Sequence, residues 1–143
     1  MPVAWTQDLA TGIRAIDEQH RDLFANVAAL RDSMRLGNSS GAVTTMRFLE
    51  RYVQDHFRSE ERWMEAAEYP GLAEHRTQHQ LFTAEFRRRM AGFRAKGPTA
   101  SLVIELSDWL GEWLREHVSK VDVKMGQFLR ASQTRPAGTR GPA

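Results

Sequence analysis

Apolar positions recur at helical spacing in four long stretches of the chain. From about Ile16 to Leu36, the residues Ile16, His20, Leu23, Val27, Leu30 and Met34 fall within roughly an 80° arc at about 100° per residue, the mark of one helix face. A second stretch, about Gly41 to Glu68, gathers Leu49, Tyr52, Val53, His56, Glu60, Trp63 and Met64 within about 120°. From Leu72 to about Ala95, the residues Leu72, His75, His79, Phe82, Phe86, Met90 and Phe93 again share roughly 80°. The fourth stretch begins after Pro98 and aligns Leu102, Leu106, Trp109, Trp113 and His117. The breaks at Gly37 to Gly41, Tyr69-Pro70-Gly71 and Gly97-Pro98 are short, and no segment alternates with the period of a strand. Four long amphipathic segments with short connections predict an all-α fold, an antiparallel up-down-up-down four-helix bundle.

The ends read differently. Trp5, Leu9 and Ile13 give the N-terminal segment enough apolar surface to lie extended across the bundle, so residues 1–130 are assigned to one domain. Residues 131–143 carry several breakers and little to bury, and are expected to form a flexible tail. A chain of 143 residues with 41% hydrophobic and 27% charged positions supports one globular core. The balance of 20 Lys and Arg against 18 Asp and Glu leaves +2, too little to point to nucleic acid, and the run Arg87 to Arg89 reads as a solvated basic face. No apolar run is long enough for membrane insertion and Met1 to Ala10 has no signal-peptide pattern, so the expected location is cytoplasmic. The absence of cysteine excludes disulfides, thiolate catalysis and iron–sulfur clusters, leaving His, Asp and Glu as the candidate metal ligands.

All five histidines, His20, His56, His75, His79 and His117, fall on the inward faces. A single inward histidine is usually a satisfied core residue. Five of them, with Glu60, would cost about 1 to 3 kcal/mol for each polar group left unpaired, a cost that a shared metal centre removes. His56-x-x-x-Glu60 and His75-x-x-x-His79 are i, i+4 pairs, about one turn apart on one face, so each can close on one ion. His20 on the first helix, and His117 with Asp122 on the last, bring all four helices to one cavity. Asp122 is five residues beyond His117, about 140° away on a regular helix, so its participation requires an irregularity between Val118 and Asp122. Asp17-x-x-His20 is read as a helix-start cap rather than a ligand pair.

Five imidazoles and two carboxylates exceed one ion and suit two six-coordinate ions. The expected partition is His75, His79 and His117 on one, His20 and His56 on the other, with Glu60 and Asp122 bridging and one position open on the ion with fewer histidines. A bridging oxo or hydroxo group completes the count. Octahedral imidazole and carboxylate coordination suits iron best, manganese less well and zinc poorly.

At these residues the chain resembles the bacterial hemerythrins. The resemblance runs from about Trp5 to Leu129 and is carried by Trp5, Gly12-Ile13, Ile16-Asp17-Glu18-Gln19-His20, His56-Phe57 with Glu60-Glu61 and Met64, His75-x-x-x-His79, and Trp113-Leu114-x-x-His117 followed by Asp122. It implies a non-haem di-iron centre (Fe2+/Fe3+) at the seven ligand positions. It further implies reversible binding of O2, held as hydroperoxide at one open iron position, for storage, delivery or sensing. By the same resemblance Leu23, Phe57, Trp113, Leu114 and Val118 line the oxygen pocket.

Ferritin-like di-iron enzymes surround their irons with four glutamates, whereas this chain offers two candidate carboxylates. Fewer anionic ligands stabilise high-valent iron less, which favours keeping O2 intact. The chain is therefore not expected to be an enzyme. A di-iron peroxidase or oxidase, or an iron buffer, would use the same ligand set and is separated from a carrier by peroxide turnover or iron exchange. The expected partner besides O2 is an oxygen-consuming enzyme, and the expected state is a monomer.

Overall fold

The computed structural model describes residues 4–133. It contains a short 3-10 turn, Gln7–Leu9, and then helices α1 (Arg14–Arg35), α2 (Ser39–Ala66), α3 (Leu72–Lys96), α4 (Ala100–His117) and α5 (Val123–Gln133). A five-residue π-helical segment, Val118–Asp122, joins α4 to α5, so the last two helices form one long interrupted rod. The architecture is the four-helix bundle that the periodicity predicts, and the described residues contain no strand.

Local chemistry sets the helix ends. Asn38 accepts a hydrogen bond from the Gly41 N–H at 3.0 Å and Thr99 accepts one from the Leu102 N–H at 3.3 Å, each satisfying a free donor at a helix start. Gly97 closes α3 in the left-handed region, at φ +81°, which an L side chain rarely adopts. Asp17 is not the cap of α1; Ile13 holds that position. The Asp17 carboxylate instead accepts bonds from the Thr11 N–H and hydroxyl, both 2.8 Å, and from the Gly12 N–H at 3.3 Å. These bonds pin the entry segment to α1. At the other end α5 continues through Gln133, so residues 131–133 are helical where a tail from residue 131 was expected, and residues 134–143 lie outside the described residues.

The core is layered along the bundle axis. A large apolar cluster contains Leu23, Val53, Phe57, Phe82, Leu110 and Leu114, while a smaller one contains Ile16, Met64, Met125 and Leu129. On each helix the histidines and carboxylates stand between the two: His20 between Ile16 and Leu23, Glu60 and His56 between Met64 and Val53, His79 before Phe82, and Asp122 before Met125. A polar layer is thus sealed above and below by side chains whose burial stabilises the fold by roughly 1.5–3 kcal/mol each. The entry segment completes the seal, with Leu9 1% exposed and Trp5 packed against the main cluster.

Candidate metal centre

The structure brings all seven predicted ligand residues together. Glu60, His75, His79, His117 and Asp122 form one group of donor atoms and His20, His56, Glu60 and Asp122 form a second, with the donors of each group within 4.8 Å of one another. Glu60 and Asp122 belong to both groups. Every one of the seven residues is buried, and Glu60, Asp122 and His20 are 0% exposed.

Asp122 reaches the cavity because the helix changes pitch. The Val123 N–H bonds to the Val118 carbonyl, a five-residue step in place of four, and this wider turn brings Asp122 under His117. The result is a His117 Nε2 to Asp122 Oδ1 distance of 3.1 Å. The same carboxylate meets His20 at 3.0 Å through Oδ2 and His75 at 3.0 Å through Oδ1. Glu60 divides itself similarly: Oε2 lies 3.3 Å from His20 and 3.2 Å from His56, and Oε1 lies 3.3 Å from His79 and 3.6 Å from His75. Each carboxylate therefore turns one oxygen toward each histidine group.

These short separations are mostly not hydrogen bonds. Nε2 of His75, His79 and His117, Oε1 of Glu60 and both oxygens of Asp122 are buried without a hydrogen-bond partner. Buried polar atoms are nearly always paired, and each unpaired one costs about 1–3 kcal/mol. Six such atoms aimed at one another are the donor set of a cation site, and the residues present fit a metal pair.

Three imidazoles are oriented from outside. His56 Nδ1 bonds Gln19 Oε1 at 2.6 Å, His79 Nδ1 bonds Glu61 Oε2 at 2.8 Å, and His117 Nδ1 bonds Gln78 Oε1 at 3.0 Å. Amide and carboxylate oxygens only accept, so Nδ1 carries the proton and the Nε2 lone pair faces the cavity. Sequence reasoning gave these three residues no role, although a signal was present. Each directly adjoins a ligand, Gln19 beside His20, Glu61 beside Glu60 and Gln78 beside His79, so it sits at the flank of the inward face and reaches the neighbouring helix.

The electrostatics follow the convergence. Burial pulls the His20 pKa down, but the Asp122 and Glu60 carboxylates beside its ring outweigh it and raise it to about 10. His75 is likewise raised to about 9 by the same carboxylates against burial. Burial opposes ionisation of Glu60 and Asp122, yet the facing histidines hold both well below the usual carboxylate range.

The five predicted pocket residues all belong to the apolar wall on the main-core side, four of them buried and Trp113 half-buried. Phe57 stacks on His79 with ring centres 3.7 Å apart, and Trp113 stacks on His117 at 4.3 Å. Phe57 and Trp113 also meet at 5.9 Å, so aromatic rings cover that side of the polar layer.

Comparison with known proteins agrees with this geometry. The hemerythrin HHE cation binding domain matches residues 11–129. A bacteriohemerythrin from Ralstonia nicotianae is 34% identical over 134 residues, covering 90% of each chain. One from Pseudomonas paraeruginosa is 29% identical over 133 residues, covering 92% of this chain and 84% of the relative. The crystal structure of wild-type hemerythrin superposes with a TM-score of 0.75 at 29% identity, covering 88% of this chain and 96% of the other. With the bundle, the buried donor set and a domain match spanning nearly all the described residues, the chain belongs to the hemerythrin family.

Proposed function

We propose that this chain holds two iron ions and binds O2 reversibly, for storage, delivery or sensing. The observation that carries the reading is the set of seven buried side chains whose nitrogen and oxygen donors converge in two groups sharing Glu60 and Asp122. His75, His79 and His117 would hold one ion and His20 with His56 the other, with Glu60 and Asp122 within reach of both. Imidazole and carboxylate without thiolate suit iron. Iron held by these residues would supply the electrons for taking up oxygen and returning it intact.

The protein's own contribution is exclusion and orientation. Gln19, Glu61 and Gln78 fix the imidazole planes, and Leu23, Phe57, Trp113, Leu114 and Val118 close the main-core side of the donor layer against water, Phe57 over His79 and Trp113 over His117. Only two carboxylates enter the donor set, which favours binding over bond cleavage and argues for a carrier rather than an enzyme. No helix among the described residues is long and apolar enough to cross a membrane.

The test is metal content with the visible spectrum of anaerobically reduced protein, recorded before air, in air and after air is removed. About two irons per chain, with colour that appears in oxygen and fades on its removal, is the expected result. Irreversible colour would replace the carrier with an oxidase or peroxidase, and absence of iron would overturn the metal assignment.

A further inference from the structure

Charge is placed unevenly along α2 and α3. The two helices run antiparallel, with Gln54 donating to the Thr83 hydroxyl at 2.9 Å, so residues 39–54 and 83–97 share one end of the bundle. Seven Lys and Arg against two Asp and Glu give these segments +5, in a chain whose total is +2. Beyond that contact the same helices turn acidic: residues 55–68 and 72–82 hold six Asp and Glu against three Arg. At the basic end the adjoining helix α4 carries Glu105, Asp108 and Glu112, and no cation through residue 112. The positive face is therefore a bounded patch, about 14 Å long on α3 from Arg87 to Lys96.

A groove of about 590 Å3 opens into this patch between the two helices. Arg51 and Arg87 stand level across its middle, with Arg94 at the end within the patch and Arg58 at the other. Among the described residues Arg51, Arg87 and Arg94 pair with no carboxylate, whereas Arg58 is held by Asp55 at 3.4 Å. Arg88 and Arg89, the neighbours of Arg87, both close on Glu85 at 2.7 Å, and Arg89 also covers Trp109. The floor is the half-buried bridge from Gln54 to Thr83 beside the buried ring of Phe86. Three unpaired guanidinium groups thus rim a concave, uncharged floor.

We infer that this groove docks a protruding acidic segment of a partner protein, with Asp or Glu side chains seated between Arg51, Arg87 and Arg94. Complementary charge steers such encounters and fixes their register, and arginine forks grip carboxylates in pairs. Shape and bounds favour a protein over other anions. A flat anionic membrane would touch the exposed arginines and leave the groove unfilled. A nucleic acid longer than the patch would run onto the carboxylates of α4 or the acidic half of α2 and α3. Glu50 also lines the groove and works against the partner. The inference rests on no property of the metal centre.

The experiment is fluorescence anisotropy of a labelled helical peptide of Glu and Ala, titrated with the iron-loaded protein at low ionic strength. The same peptide with Gln for Glu is the comparison probe. Saturable binding is expected, at least about tenfold tighter for the Glu peptide. Combining Arg51→Glu with Arg87→Glu should weaken it at least about tenfold. Arg14→Glu with Arg35→Glu, an equal change of net charge on α1, should shift it less than twofold. Glu50→Gln should tighten it more than Glu105→Gln does. Iron content and circular dichroism establish that each variant keeps the bundle. Absence of saturation, equal loss in the two double variants, or equal gain in the two glutamate variants would each overturn the proposal. So would tighter binding to phosphatidylglycerol vesicles or to a short DNA duplex, lost when Arg51 and Arg87 are reversed, which would reassign the face to lipid or nucleic acid.

Discussion

Glu61 holds His79 and Arg76 at once: its Oε2 accepts from His79 Nδ1 at 2.8 Å and its Oε1 accepts from Arg76 Nε at 3.2 Å. The other two oriented imidazoles lean on neutral amides, so the three-histidine group alone is backed by a carboxylate. A carboxylate makes its imidazole a better donor, and removal of such an outer partner typically costs 10–100-fold in metal affinity. Glu61→Ala should therefore weaken binding of a divalent probe such as Co(II) by at least about tenfold, and Glu61→Gln by less, because the amide keeps the bond and loses the charge. Competition against a chelator reads both. Equal affinity in all three proteins would reduce Glu61 to a surface residue of α2.

Leu114 is 4% exposed in the apolar wall, one turn before His117. Leu114→Ala should lower stability by about 2–5 kcal/mol, as large-to-small core changes do, while leaving both donor groups intact. Iron content should remain near two per chain and the oxygenated form should oxidise faster than the parent, because water gains a path. Autoxidation followed by absorbance decides it; an unchanged rate would show that Leu114 does not shield the site.

His117→Ala removes a donor and a stacking partner together. The three-histidine group falls to two imidazoles, and Trp113 loses the ring at 4.3 Å. Stable iron binding at that group should be lost and the end of α4 should loosen. Metal analysis with amide exchange across 113–123 tests both effects; full iron retention would displace His117 from the donor set.

Much of this site was legible in the sequence because its signal is periodic. His56 with Glu60 and His75 with His79 are separated by a helical turn, and the inward phase of His20 and His117 follows from the apolar residues around them. Asp122 was readable only as a conflict, since a regular helix turns it away from His117; the conflict itself required the π turn. Gln19, Glu61 and Gln78 escaped because contacts between helices depend on bundle geometry, which no single helix's period contains. Asp17 was misassigned for the same reason: its carboxylate caps nothing on α1 and instead grips Thr11 and Gly12, whose approach depends on how the entry segment crosses the bundle.

That crossing is tight at Gly126. A β-carbon there would stand 2.4 Å from the Thr11 carbonyl oxygen, a backbone atom that cannot swing aside. Gly126→Ala should therefore push the entry segment off α5 and lower stability by about 1–3 kcal/mol, the usual cost of overpacking. Thermal unfolding of the variant measures it, and an unchanged midpoint would mean that the entry segment yields freely.

Metal-free protein should carry a distinctive pH profile. His20 and His75, raised to about 10 and about 9, bind protons more tightly folded than unfolded, where a histidine titrates near 6.5. Their contribution is complete below pH 6.5 and fades as pH rises through 9 to 10. Glu60 and Asp122 are held well below 4.5 and 3.8, so their contribution is present above those values and fades as pH falls through the lowered ones. The metal-free bundle should thus be most stable between about pH 4.5 and 6.5 and lose thermal stability steadily toward pH 10. Metal ligation requires neutral imidazoles, so uptake must expel the protons held on His20 and His75, and apparent affinity should climb with pH across the same interval. Unfolding midpoints of metal-free and loaded protein from pH 5 to 10 should diverge as pH rises. Parallel curves would show that the carboxylates do not hold these histidines protonated before the metal arrives.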